Sequence, residues 1–279
     1  RPLSFAGNDI PGVMLASAVR DYLVNYGVSP GDRTVVVTNN DDAYRTAIAL
    51  VQAGLKVPVI LDARAKGGGA LMNEAKALGI RVETGAAAVK VKGAKRVHSV
   101  CVGVQAGEGA VLEEVFCDAV AMSGGWSPVV HLWSHCGGKL AWDDSQATFR
   151  PDPDRAPTSH DGAAFVITAG AADGEMHLNA VLQNAANAGK IAAGRVGAKQ
   201  ASADAPAADA PHEAALEPVW MMPQGAPFKL RSKAWLDYQN DVKVSDVQLA
   251  AQEGFESVEH TKRYTTLGMA TDQGKLSNI

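Results

Sequence analysis

Four places in this 279-residue chain gather residue types that could do chemistry. His131 and His135 stand four apart with Cys136 beside them. A zinc site needs four donors, and no third and fourth stand nearby, so these histidines are read as satisfied or exposed and no metal site is assigned. The turn Thr38-Asn39-Asn40-Asp41-Asp42-Ala43 follows a β-branched run, where a dinucleotide-binding turn would carry G-x-G-x-x-G so that backbone can approach a pyrophosphate. It has no glycine. Its two carboxylates suit a helix N-terminus but would repel a phosphate. Asp62, closing the next apolar run, stands where a ribose-binding acid would be, and without the glycines it reads as a strand-end residue.

A second turn, Gly170-Ala171-Ala172 in "TAGAADGEMHLNA", has two readings. Either its backbone comes close to a ligand at the N-terminus of the helix beyond, or it is a tight strand-to-helix turn that needs small residues. The stretch "KRYTTLGMATDQGKLSN", residues 262–278, sets Lys262, Arg263, Thr265, Thr266, Gln273 and Lys275 around Gly268 and Gly274. Those donors suit an anionic phosphate or a subunit contact, or else a capping network between two short helices. No G-x-S-x-G elbow occurs, so nucleophilic hydrolysis has no support and no catalytic residue is assigned.

The elements that must position these residues follow from patterning. "IPGVMLASAVRDYLVNYG" predicts a helix with Pro11 near its start, a buried face of Val13, Leu15, Val19 and Leu23, and Gly27 as its C-cap. Thr34 to Thr38 reads as a buried strand and "DDAYRTAIALVQAG" as a helix with Asp41 and Asp42 in its first turn. "VPVILDA" and "GGALMNEAKALG" repeat the pair, which is a βαβ unit with a parallel sheet. "RVETGAAAVKVKGAKRVHSVCVGV" predicts an antiparallel meander around Gly93, and "VFCDAVAMSGG" another buried strand. "FVITAGAADGEMHLNAVLQNAANAGKIAAGRV" reads as strand, turn and long helix, and residues 199–218 as an exposed Ala/Pro/Asp-rich linker. The remainder is helical by pattern, with Ser245 as an N-cap and Val247, Leu249 and Ala250 inside.

Composition narrows the function classes. An apolar content of 47% supports more than one core, about two domains at this length. A net charge of −4 with both signs interspersed points to neither nucleic acid nor a membrane surface. No apolar run approaches the roughly 20 residues of a membrane span. Cys101, Cys117 and Cys136 form no CxxC and read as inert thiols of a reducing cytoplasm. The start "RPLSFAGNDIPG" and the stop at Ile279 read as cuts within a longer chain.

"RPLSFAGNDIPGVMLASAVRDYLVNYGV", "VVVTNNDDAY", "SGGWSPVVHLWSHCGGKLAWD" and "FESVEHTKRYTTLGMATDQGKLSN" together resemble the alpha subunit of heterotetrameric sarcosine oxidase. The resemblance implies an α/β chain with a Rossmann-like pyridine nucleotide–disulfide oxidoreductase fold, followed by a small helical module. It divides the chain into residues 1–32 and 117–198 as the returning part of a first NAD-binding domain and residues 33–116 as a second Rossmann-like lobe. Residues 199–218 are then a linker, and residues 219–279 a module similar to bacterioferritin-associated ferredoxin without its cluster. At that module's cluster-ligand positions the chain has Asp237, Gln239, Asp272 and Ser277 in place of cysteines, poor substitutes for four thiolates.

Several further expectations come from the same likeness. NAD contacts carry over to Ala171, Met176 and Leu178, with most of that site lying upstream of Arg1. FMN is expected beside Thr265, Thr266, Gln273 and Lys275 at the interface with a beta subunit, while FAD and tetrahydrofolate bind elsewhere in the complex. Beta, gamma and delta subunits are the implied partners, and the cytoplasm the implied location. The implied reaction is oxidative demethylation of sarcosine to glycine, with hydrogen peroxide and formaldehyde or 5,10-methylenetetrahydrofolate. An alpha subunit of a proline or opine dehydrogenase, or a non-catalytic assembly scaffold, would share the same pieces.

Overall fold

The computed structural model describes residues 1–198, 204–271, 273 and 274. Two compact units emerge: residues 1–125 with 213–279, and residues 126–212. In the first, β1 (Val13–Leu15), α1 (Ala16–Tyr26), β2 (Thr34–Thr38), α2 (Asp42–Gln52), β3 (Ile60–Asp62), α3 (Ala70–Ala77) and β4 (Val82–Thr84) follow in turn. An antiparallel meander comes next, β5 (Ala86–Gly93), β6 (Val97–Val104) and β7 (Glu113–Phe116), and then β8 (Ala119–Ser123). The parallel sheet runs β1-β8-β2-β3-β4, so β8 enters between the first two strands.

Period-two alternation sends successive β2 side chains to opposite faces. Val35 and Val37 join Val59, Leu61, Val120 and the meander's Ala87, Val91 and Val100 in one core. Val36 faces the other way, with Ile60 and Ala121, onto Val19 of α1, Ala47 and Leu50 of α2 and Leu71 of α3. The βαβ rhythm, the meander and the buried last strand are as the sequence predicts.

Other readings are corrected. Val13 and Leu15 belong to a strand rather than a helix face, because Val13 aligns with Val120 and Leu15 with Met122 across the sheet. Pro11 therefore precedes β1, and the helix begins at Ala16. Its stop at Gly27 holds, with φ of 65° and an amide bonded to the Leu23 carbonyl. β1 and β2, on either side of the expected boundary between residues 32 and 33, stand in one sheet with β8 between them.

The second unit holds α4 (His131–His135), the hairpin β9 (Leu140–Asp143) and β10 (Thr148–Pro151), and α5 (Leu178–Arg195). No strand forms over residues 165–168; Thr158 and Ala164 make a single bridge.

The first unit resumes with α6 (Phe228–Arg231), a hairpin of β11 (Trp235–Asp237) and β12 (Val242–Lys243), α7 (Val244–Gln252) and α8 (Val258–Thr265). The tail thus contains a hairpin besides its helices. Lys243, not Ser245, is the N-cap residue of α7, and its amide donates to Asp246 Oδ2 at 2.9 Å. Ala250 is buried, but Leu249 is 47% exposed. No helix among the described residues is long and apolar enough to cross a membrane.

Candidate functional site

Ligands of open parallel sheets bind in the crevice beyond the carboxyl ends of the strands. Here β2 ends at Thr38 and β3 at Asp62, and the crevice is filled from within. Arg64 Nη2 lies 2.6 Å from Asp41 Oδ1 and 2.7 Å from Asp62 Oδ2, while Arg64 Nε donates to Asp62 Oδ1 at 3.0 Å. The Tyr44 hydroxyl donates to Asp62 Oδ2 at 2.7 Å. Asp41, Asp62 and Arg64 are each less than 5% exposed. Burial by itself would push the guanidinium down, but the bonds and charges of Asp62 and then Asp41 outweigh it and raise it above the ordinary arginine value. Burial, then the Asp62 charge, also pushes the Tyr44 phenol up.

Residues 213–217, within the segment expected as an exposed linker, close over this network. Ala214 donates its amide to Asp41 Oδ2 at 2.7 Å, and Arg64 Nη1 donates to the Ala215 carbonyl at 3.2 Å. Asn39 and Glu217 exchange bonds, Asn39 Nδ2 to the Glu217 carbonyl at 2.8 Å and the Glu217 amide to the Asn39 carbonyl at 3.2 Å. Glu213 pairs with Arg45 at 2.5 Å. Asp41 sits at the N-cap of α2 but makes no side-chain cap; its carboxylate serves Arg64 instead. Asn40 ties the turn to β8 through the Ser123 hydroxyl at 2.9 Å. Sequence reasoning missed Arg64. The available signal was an arginine two residues after a strand-end acid, beside a turn already rich in carboxylates.

In the tail, Asp237 is 3% exposed and accepts four bonds. Its Oδ1 receives the amides of Gln239 and Asn240 at 2.9 and 3.0 Å, and its Oδ2 receives the Gly268 amide at 2.9 Å and Asn240 Nδ2 at 3.2 Å. Burial pushes this carboxyl up, but the donors from Gly268, Asn240 and Gln239 outweigh it and hold it below the usual aspartate range. The Asp237 carboxylate is thus satisfied by three backbone amides and the Asn240 side chain. Asp272, Lys275 and Ser277 lie outside the described residues. Thr265 donates to the Thr261 carbonyl at 2.7 Å, and Thr266 to the Thr265 carbonyl at 2.5 Å, so both hydroxyl protons are spent in their own turn. Gln273 is exposed with φ of 55°.

In the other unit, Ala171 lies in a 3-10 turn from Gly170 to Asp173, Met176 is half-buried and Leu178 is 50% exposed. The turn is braced from α5: Gly170 donates its amide to Asn184 Oδ1 at 2.7 Å, and Asn184 Nδ2 donates to Asp173 Oδ2 at 2.8 Å. His177, the N-cap of α5, makes no side-chain cap. His131 and His135 are exposed, and no group of three metal-ligating side chains forms among the described residues. Trp133 packs inward, with its indole donating to the Lys139 carbonyl at 2.7 Å.

Comparison with known proteins adds to this geometry. Residues 231–279 match the sarcosine oxidase A3 domain. Over 280 residues the chain is 38% identical to the sarcosine oxidase alpha subunit of Rhizobium meliloti (strain 1021), an alignment covering 100% of this chain and 26% of that protein. The chain therefore spans about a quarter of that relative's length. A subunit of opine oxidase from Agrobacterium tumefaciens (strain Ach5) is 27% identical over 181 residues, 58% of this chain and 34% of that protein. Among solved structures, L-proline dehydrogenase from P. horikoshii is similar with a TM-score of 0.62, covering 99% of this chain and 48% of that one at 16% identity, which is a likeness of fold.

Proposed function

Along its whole length the chain is homologous to part of the sarcosine oxidase alpha subunit, and from that premise we propose that it is a segment of the alpha subunit of a flavin-dependent amine oxidase acting on sarcosine. The identity of 38% over the full chain is the observation that carries this reading. The reaction is oxidative demethylation to glycine, with hydrogen peroxide and either formaldehyde or 5,10-methylenetetrahydrofolate as the other products. FAD and FMN supply the electron chemistry when bound, and tetrahydrofolate takes the methylene group. This segment carries no bond-breaking residue. Its beta, gamma and delta partners and its cytoplasmic location are parts of the same proposal.

Two roles are assigned to the segment. The turn from Ala171 to Leu178 contributes to an NAD site whose larger part lies outside this chain. Its exposed small and apolar residues, Ala171 and Leu178, fit van der Waals contact, and the start of α5 lacks a side-chain cap, which suits an anionic group. The loop after α8 docks the beta subunit close to FMN. The hydroxyls of Thr265 and Thr266 fit poorly as phosphate donors, because both protons already go to carbonyls. Lys262, Gln273 and Lys275 are assigned to meet an anion there, and Arg263, which pairs with Glu259 at 3.3 Å, would have to exchange that partner to join them.

Co-expression of the full-length alpha subunit with a beta-type subunit, followed by flavin analysis and a peroxide assay with sarcosine, tests this function. Sarcosine-dependent peroxide is the expected result, and flavin-loaded protein inert toward sarcosine overturns it. A Lys275→Ala variant is expected to lose FMN or affinity for the beta subunit while staying folded. The similarity to the opine oxidase chain favours one second reading, an alpha subunit of an enzyme that acts on opines, and the same assay with opines in place of sarcosine separates the two.

A further inference from the structure

A groove of about 510 Å³ opens where three distant stretches meet: residues 7–10, the end of β5, and the stretch from Ser232 to Lys243. Lys90, Lys92, Lys233 and Lys243 all line it, against one carboxylate, Asp9. Lys92 is engaged, bonded to Glu114 Oε2 at 2.6 Å. The other three make no ion pair among the described residues. In a chain whose net charge is −4, such a convergence is a local excess of positive charge. Like charges held together repel, and an anion between them removes that cost.

The groove has an aromatic wall as well. Trp235 lines it, and Lys243 Nζ stands 4.4 Å from the centre of that indole. Its backbone is clamped by buried Asn8, which accepts the Trp235 amide at 2.8 Å and donates to its carbonyl at 2.9 Å. The other walls are fixed in the same way: the Gly7 amide donates to the Lys233 carbonyl at 2.8 Å, and the Val91 amide to the Ala6 carbonyl at 2.8 Å. Gly7 has φ of 80°, and a Cβ there would meet the Val91 carbonyl oxygen at 2.6 Å. The three segments are thus locked together before any ligand arrives, the condition under which little ordering is lost on binding.

We propose that this groove binds an organic phosphate, its anionic group held by Lys90, Lys233 and Lys243 and its planar part resting against Trp235. Its volume lies within the roughly 300–1,000 Å³ of small-molecule sites. Surface lysines act here as point charges, so binding weakens as salt rises. None of its lining residues belongs to the loop assigned above to FMN or to the turn assigned to NAD.

The test uses the full-length subunit in complex with its partners and labelled with 5-fluorotryptophan, the Trp235 signal being identified with a Trp235→Phe variant. Inorganic pyrophosphate and ADP are the probes. A saturable shift of the Trp235 resonance is expected, with affinity at least tenfold weaker in Lys90→Gln/Lys233→Gln and preserved in Lys243→Arg. Flavin content and sarcosine-dependent peroxide should be unchanged in the double variant, so this result is read independently of the proposed oxidase function. An unmoved Trp235 signal at millimolar probe overturns the proposal. So does a double variant that binds like the parent, or one that loses FMN, which would assign the lysines to the flavin.

Discussion

Arg64 and Asp41 meet at 2.6 Å beneath Gly68, both almost wholly buried, in the crevice where a doubly wound fold ordinarily receives its ligand. The pair makes the crevice a closed structural core. Removing one partner would strand the other charge without water, which costs about 3–5 kcal/mol. Arg64→Met is expected to lower unfolding free energy by that amount in urea titrations, and Arg64→Lys to recover little of it, since an ammonium cannot reproduce the forked contact with Asp62. Neither variant should acquire nucleotide binding in this lobe.

Gly68 is the lid of the same pair. A methyl group there would collide with Asp41 Oδ1 and stand 3.0 Å from Arg64 Nη2. Gly68→Ala should destabilise the first unit by about 1–3 kcal/mol, the usual cost of overpacking. Unfolding midpoints measured alongside Gly79→Ala, where nothing lies within 4 Å but φ is 81°, separate collision from backbone strain.

Asp237 sets a pH dependence. Its folded-state carboxyl titrates below the unfolded value, so its contribution is complete above about pH 4 and fades as pH falls through the folded-state value. Asp237→Asn should flatten the acid limb of stability below about pH 4. Asp237→Ala should cost about 2–3 kcal/mol at neutral pH by leaving the amides of Gln239, Asn240 and Gly268 without their acceptor. Amide exchange at Gly268 reports the loss directly.

For the NAD role, Leu178→Glu in the full-length subunit should weaken NAD binding about tenfold, roughly 1.4 kcal/mol, by placing a carboxylate at the ligand face. The helix should survive, since Leu178 is half exposed and a glutamate suits a first turn. Calorimetry with NAD checks the first point and circular dichroism the second. The 279-residue chain alone should bind NAD weakly or not at all, because most contacts belong to residues it does not carry.

What could be read from the chain depended on how local the signal was. Thr34 to Thr38 is a run of β-branched residues between turn signals, and it forms the strand with those limits. Gly27 stops its helix for a reason contained in one residue, the positive φ it alone adopts freely. Val13 and Leu15 misled because their spacing fits a helix face, whereas their state is decided by β8, a hundred residues further on. The linker misled likewise: nothing in "HEAALEP" announces that Ala214 will cap Asp41. The candidate site divides the same way. Asp237 was legible through its place in a motif, whereas Arg64 acquires its meaning from Asp41, which chain order does not reveal.

The order β1-β8-β2 has a consequence for the growing chain. As the polypeptide leaves the ribosome, Val13–Leu15 and Thr34–Thr38 emerge well before Ala119, yet they are not hydrogen-bonded to each other, and the strand that joins them begins only at Ala119. Until then one edge of β2 offers unpaired amides and carbonyls, and its valines lack part of their cover. Closing so long a loop before its contacts form is slow. While the chain has grown only as far as Asp118 this sheet is therefore open to a holding chaperone, and the emergence of Ala119–Ser123 closes it.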